Sequence, residues 1–488
     1  MLIEYSNNGG GSWAAIAGAT TLPFAQGVFA WDTGALTPGA NFKVRITPTA
    51  GGSPAVSGLL RVLPNTATMF YVNDSSTTND MYCTAVGSDA NDGLSPSTPM
   101  ANLKRLVVTY KLMPGDTVRI DTGLWTLDAN LVLTDSGAPG QLIRLVGSTN
   151  TLGSVFNRND TGAGMYGFHL SGNHYMRMEN LKVTGAEHGI VGGGSSARYS
   201  QGIEIVGCEV YGNAQWGIVF GSCSNIVVSG CISRNNAHGL DVDGGSGIVS
   251  GNSVHHNTAF GLYLNGSFLA DGNDCYNNNV GLNGMNGVRA NNNLIHENTG
   301  YGALTITGAA SEAVGNRVYL NDYEGIKLQS GASARRNTVY SNRRGGISVV
   351  GSDTQLFNNL VYDNDRSNEG NWNIFNSGYR NQIENNTLYG GNGLYWSGPW
   401  GDVTRHNIIW TRGAGRYAIY YGNADGTPIS DYNNFYASDG ATLGYWGGDR
   451  TNLAAWKSAT GLDTNSLSAD PLFVDPNGAD DILGGFYG

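Results

Sequence analysis

The chain is poor in charge, with Asp, Glu, Lys and Arg making up 13% of 488 residues, and what charge there is leans acidic at a formal net of -11. A basic footprint is therefore missing, which argues against nucleic acid as a partner, because phosphate contacts need clustered Lys and Arg. No apolar run approaches the roughly 18 residues that a membrane span requires, so no membrane span is expected. The N-terminus also lacks the charged and apolar regions of a signal peptide. Five cysteines (Cys83, Cys208, Cys223, Cys231 and Cys275) form an odd set without a CxxC pair, which points to neither a disulfide framework nor a zinc site. They are expected to be small buried hydrophobes. Helix-forming runs are scarce too, whereas glycine is abundant at 73 residues, as in an all-β chain with many turns.

Residues 1–65 read as short strands between Gly, Pro and Asn: "LIEYS", "SWAAIA", "GVFAWDT", "NFKVRITP" and "SGLLRVLP". The stretch "IEYSNNGGGSW" with "FAWDT" and "FKVRIT" resembles the second half of bacterial immunoglobulin-like or fibronectin-like surface modules. Such modules carry further strands before this one, so the resemblance implies a partial β-sandwich cut from a longer chain that is secreted or on the cell surface.

From about 189 to 415 the sequence repeats roughly every 22 residues. Each unit holds a Gly followed by alternating residues, as in "GIVFG", "GLDVD", "GLYLN", "GIKLQ" and "GISVV". Most units add an N-x-[VIL]-[YH]-x-N segment, as in "NSVHHN", "NLIHEN", "NRVYLN" and "NTVYSN". A lone strand cannot bury its apolar face, but coils stacked at the ~4.8 Å strand spacing bury a continuous column and align like side chains into ladders. This pattern resembles the right-handed parallel β-helix family, the fold of pectate lyases, alginate lyases and epimerases, and phage tailspikes. The resemblance implies an all-β solenoid over residues 66–488. Its N-terminal cap would lie near 70–112, with a short helix at 100–112, and an irregular C-terminal cap region at about 420–488. Asn ladders are expected inside it.

In each strand after the Gly, the second and fourth residues should point inward and the third and fifth outward. One outward stripe runs Val219, Asp241, Tyr263, Asn283, Thr305, Lys327, Ser348 and Tyr395, and the other includes Asp243, Asn265 and Gln329. Residues just before the Gly, among them His238, Tyr323, Arg343 and Arg344, should border this face. The longer turns near 192–201 and 365–372 could wall a groove, with Arg198 and Trp372 at its ends and Trp400 as a sugar platform. Amides, hydroxyls, aromatics and mixed charge suit an extracellular polysaccharide as partner, with the protein a monomer.

The leading expectation is a polysaccharide lyase acting by β-elimination on a uronate-containing glycan. Lys327 would be the base, Arg344 the carboxylate clamp, and Tyr323 or Tyr263 the acid. The alginate-epimerase "DPH" signature and the polygalacturonase-type motifs are absent, so no family's residue roles transfer. Hydrolysis by Asp241 and Asp243 is the rival chemistry, since same-face neighbours on a strand lie roughly 6–7 Å apart. A noncatalytic surface or adhesin repeat is the other alternative. Asp89 and Asp92 in "GSDANDG", with Asp475, Asp480 and Asp481, could bind calcium, although Asx turns explain such segments more simply. His255, His256 and His296 share a column with tyrosines, so packing accounts for them.

Overall fold

The computed structural model describes all residues except 24–28, 30, 64–65, 194–198, 399, 424–425, 427 and 475–488. It is 48% strand and 3% helix, wound as a parallel β-solenoid of about 13 turns. Each coil passes through a strand on one face, such as Glu324–Gln329, then one on a second, Ser333–Arg335, then one on a third, Thr338–Tyr340. Every strand pairs in parallel with its counterpart one coil on, as Ile326 does with Ile347 and Val339 with Val361. Three strands, Trp216–Ser229, His238–Ser250 and Phe260–Asp271, run unbroken across the first two faces.

Inward alternation is as expected: Leu240, Val242, Leu262, Leu264, Ile326 and Leu328 are fully buried in one continuous core. Polar ladders run alongside it. In the first, Asn293, Asn316 and Asn337 stack at the same corner of successive coils. The Asn316 side-chain oxygen accepts from the Asn293 backbone N–H and side-chain amide, both at 2.9 Å, while its own amide donates to Ala290 O at 2.8 Å and to Asn337 Oδ1 at 2.9 Å. A second ladder repeats this geometry through Asn278, Asn298, Asn321 and Asn342. Ladder partners are separated by 20 residues at Asn273/Asn293 and by 27 at Asn359/Asn386, so loops of different length are absorbed without losing register. The residue before a ladder Asn turns the corner in the left-handed region, Gly315 at φ 66° and even Leu320 at φ 56°. A side chain there costs about 1–2 kcal/mol, so the ladder overrides local preference.

On the third face His255, Tyr276, His296, Tyr319, Tyr340 and Tyr362 stack ring on ring, with centroids 4.6–5.1 Å apart. His255 and His296 are packing residues, as the sequence suggests, whereas His256 turns the corner beside the column, edge-on to Tyr276 at 6.0 Å. The five cysteines are free and buried.

The first coil is covered by the helix Leu103–Thr109, whose N-cap Asn102 accepts from Lys104 N and whose Leu103 and Leu106 enter the core. The coils continue further than the sequence pattern does. Tyr417–Tyr421 and Thr442–Trp446 pair in parallel beyond residue 420, where inserted turns blur the period but the ladder persists through Asn433. The last coil is closed by the helix Leu453–Thr460, which seats Trp456 so near Gly444 that a Cβ there would lie 2.6 Å from the indole. At the other end Leu2–Ser6, Ala14–Ala15, Gly39–Thr47, Ala55–Val56 and Leu60–Val62 form a five-stranded sheet whose pairings are antiparallel.

Asp92 closes its own loop, accepting from Leu94 N at 3.1 Å and Thr98 Oγ1 at 2.7 Å, as an Asx turn does. Among the described residues no group of three or more His, Cys, Asp or Glu is placed to hold a metal. Asp475, Asp480 and Asp481 lie outside the described residues.

Replacing Asn316 by Ala strands the Asn293 N–H and the Ala290 carbonyl inside the core, and an unsatisfied buried group costs about 1–3 kcal/mol. Asn316→Ala is therefore expected to lower unfolding stability by about 3 kcal/mol in a denaturant titration. Asp402 is a buried acid at another such corner, accepting from Asn381 N at 2.6 Å, and burial pushes its pKa up to about 7. The folded protein then holds a proton that the unfolded chain releases near pH 4, so this group's contribution to stability falls between pH 4 and 7. Asp402→Asn is expected to remove that decline, gaining on the parent by about 4 kcal/mol between pH 4 and pH 8.

Candidate active face

The first face presents its outward side chains in columns fixed by pairing. The central column is Val191, Val219, Asp241, Tyr263, Asn283, Thr305, Lys327, Ser348, Phe375, Tyr395, Tyr420 and Tyr445. Beside it Asp243, Asn265, Met285, Thr307 and Gln329 form a parallel column. On the other side Trp216, His238 and Phe260 stack with centroids 5.4–5.6 Å apart, and His188 meets Trp216 edge-on at 4.6 Å.

The coils around residue 241 bring the most chemistry together. The Trp216 indole N–H donates to Asp241 Oδ2 at 2.9 Å. Burial between the aromatic column and Tyr263 pushes the Asp241 pKa up to about 6, with the charge of Asp243 adding to the rise and the Trp216 hydrogen bond opposing it. Asp243, two residues on, is exposed, and it accepts from Asn265 Nδ2 at 2.8 Å, while Asn265 accepts in turn from Asn286. The phenol of Tyr263, on the next coil, is raised by burial and then by both carboxylates. His238 lies between Trp216 and Phe260, its pKa lowered by burial and its Nδ1 buried without a hydrogen-bond partner.

A second group lies toward the C-terminal end of the same face. Lys327 is half-buried, with Thr305 on one side and Ser348 on the other. The Arg344 guanidinium sits over the Tyr323 ring at 4.5 Å, its Nε 3.8 Å from Glu369, and Tyr323 packs against Tyr301 with centroids 4.1 Å apart. Arg343 is exposed beside it, and Gln329 accepts from Thr307 Oγ1 at 3.1 Å. Asn283, between the two groups, has its side-chain oxygen buried without a partner.

The turn at 365–371 is a built wall. Its buried Asp365 accepts from Glu369 N, Gly370 N and Asn371 Nδ2 and pairs with Arg416 at 2.9 Å. It delivers Trp372 against Tyr395, with centroids 5.2 Å apart. Trp400 is 52% exposed in the turn after the strand Asn392–Trp396. Arg198 lies outside the described residues.

The pairing thus unites Asp241, Asp243, Tyr263, Asn265 and His238, and separately Lys327, Tyr323, Arg343, Arg344 and Trp372. Four coils, about 19 Å at the strand spacing, part Lys327 from Asp241. Sequence reasoning missed Trp216, Phe260 and Phe375. The first two occupy the pre-Gly position that flagged His238. Phe375 is disguised because Asn373 replaces the marker Gly and the Asp365 turn lengthens that repeat.

The family described as right handed beta helix region matches residues 133–280 and 237–365. The solenoid is a right-handed parallel β-helix. Among curated proteins none matches. Similar solved structures include the A-module of the Azotobacter vinelandii mannuronan C-5 epimerase AlgE6, 15% identical over 73% of this chain and 91% of that one, with a TM-score of 0.45. A mannuronic acid specific polysaccharide family 6 lyase from human gut microbiota is 13% identical over 67% of this chain and 82% of its own, with a TM-score of 0.44. The GH136 lacto-N-biosidase from Eubacterium ramulus is 14% identical over 75% and 67%, with a TM-score of 0.37. Identities this low transfer no residue and no activity to this chain.

Proposed function

We propose that this protein is a secreted or cell-surface enzyme that hydrolyses glycosidic bonds in an extracellular polysaccharide, with Asp241 and Asp243 as its working pair. The observation that carries the reading is the contrast between two carboxyl groups on one strand. Asp241 is half-buried under the Trp216 hydrogen bond with its pKa raised to about 6, and Asp243 is exposed two residues away. Two carboxyl groups with environments this different suit the acid and base roles of a glycosidase. Asp241 would protonate the leaving oxygen, while Asp243 takes a proton from the attacking water. The strand repeat sets the two residues roughly 6–7 Å apart, and inversion at the anomeric carbon would require their carboxyl groups to leave room for that water. Tyr263, Asn265 and His238 would bind sugar hydroxyls around the bond being cut. Residues 1–65 would be the partial immunoglobulin-like module, tethering or spacing the solenoid on a surface.

β-Elimination is the second reading, favoured by Lys327 and Arg344 standing on successive coils of one face. In it Lys327 removes the proton, Arg344 holds the uronate carboxylate, and Tyr323 protonates the leaving oxygen. Arg344 is already engaged by Tyr323 and Glu369, which weighs against that role.

Incubation with a polysaccharide panel separates these readings. Hydrolysis releases reducing ends with no new ultraviolet absorbance, whereas elimination creates an unsaturated uronate absorbing near ~235 nm. A chain with neither activity would be a binding or spacing repeat. Under the hydrolytic reading Asp241→Asn and Asp243→Asn each lower turnover by at least about 100-fold. Because the acid must carry its proton, activity falls as pH rises through about 6, the value to which Asp241 is raised. Trp216→Phe removes a hydrogen bond that favours the ionised form, so it is expected to move that alkaline limb upward, as read from the pH dependence of kcat/KM.

A further inference from the structure

One coil of the active face lacks the side chains that its neighbours carry. In the strand Gly345–Val349, Gly345 pairs with Glu324 on the coil before, and its position abuts the backbone oxygen of Trp372 on the coil after. Ser348 stands between Lys327 and Phe375 in the same way. The neighbouring side chains rise past both small residues, so all five residues of the strand are buried, and Ser348 is only 7% exposed. The outward residues at the same position on other coils, from Val191 to Tyr445, are half-buried or exposed.

The result is a slot with a cavity volume of ≈ 190 Å³, lined by Glu324, Arg344, Ser348, Asn371, Trp372 and Phe375. Its walls stand two coils apart, about 9.6 Å between strands, which leaves room for one flat ring between side chains. Phe375 stacks on Tyr395 at 5.0 Å and 8°, so that side of its ring is covered, and the side toward Ser348 borders the slot. At the lip Arg344 is held over Tyr323, with its Nε buried and without a hydrogen-bond partner.

We infer that this slot is a binding subsite for one uncharged pyranose unit of the polysaccharide, inserted with its C–H face against Phe375 and its hydroxyls between Glu324 and Arg344. The inference rests on the glycan-cleaving reading and adds the class of sugar to it. Apolar C–H groups match the aromatic wall, as in other contacts between aromatic rings and apolar surface. A carboxylate acceptor facing a guanidinium donor matches neighbouring hydroxyls, each of which both donates and accepts. Among the lining residues the charges of Glu324 and Arg344 oppose each other, with Glu369 3.8 Å from the latter, so the lining itself carries no net positive charge to select a sugar carboxylate. Five coils, about 24 Å, separate Ser348 from Asp241 along one column. A chain that fills both places spans several sugar units, so the slot anchors a long polymer while the bond is cut elsewhere.

The test uses the full chain carrying Asp241→Asn and Asp243→Asn, so that polymers are bound without being cut. Its retention in affinity gels is measured with barley β-glucan, xylan and galactomannan, and with alginate and polygalacturonate as acidic probes. Ser348→Phe fills the slot while continuing the Phe375–Tyr395 stack, and Phe375→Ala removes the wall. With the unfolding transition of Ser348→Phe unchanged, each substitution is expected to weaken retention by a neutral polymer at least tenfold. Retention that survives Ser348→Phe overturns the subsite, as does retention by acidic polymers only or by no polymer at all. Loss of reducing-end release in the Asp241→Asn single variant is scored separately, so the subsite can fail while the hydrolytic reading stands.

Discussion

The buried asparagine ladders are the constraint on which the rest of the structure depends. A parallel solenoid must turn a sharp corner several times per coil, and each corner exposes backbone groups to an interior without water. A ladder amide satisfies them with both ends at once: it accepts from the coil before, and donates to a backbone carbonyl and to the coil after. Because each amide serves its neighbours, register is enforced along the whole stack, and loops between ladder points vary without disturbing it. The left-handed corner at Leu320 shows the hierarchy, since an unfavourable local conformation is accepted to keep Asn321 in line.

Once corners and core are fixed in this way, the outward residues of the first face are free of structural duty. They become a surface on which neighbours are set by pairing and not by sequence separation. Asp241 meets Trp216 from the preceding coil and Tyr263 from the following one, and it is this company that makes its carboxyl unlike that of Asp243. The slot over Ser348 arises by the same rule. Two small residues on one coil count for little in sequence, yet Gly345 beside Glu324 and Ser348 beside Phe375 open a space that side chains would otherwise fill.

The fold was legible in the sequence because its signals are local and repeated. A Gly, an alternating strand and a pair of in-phase Asn recur often enough to establish the coil, its inward residues and the ladders. The boundary near 420 was less legible, because inserted turns there break the period while the pairing continues through Trp446. For the site, alternation alone set out Asp241, Asp243, Tyr263, Asn265 and Lys327 on one face. Coil number converts into distance and parts Lys327 from Asp241, but Tyr263, offered as an acid for Lys327, stands three coils from it beside Asp241.

Periodicity along the chain is enough for the solenoid, its buried and exposed stripes, and the list of side chains available for chemistry. The state of those side chains comes from packing between coils. Arg344 is drawn onto Tyr323 and toward Glu369, Asp241 is desolvated beneath Trp216, and Phe375 is carried into line by a turn that Asp365 and Arg416 cinch. Each of these depends on a neighbour about a coil or more away along the chain or on the length of a loop, and neither is written in the repeat itself.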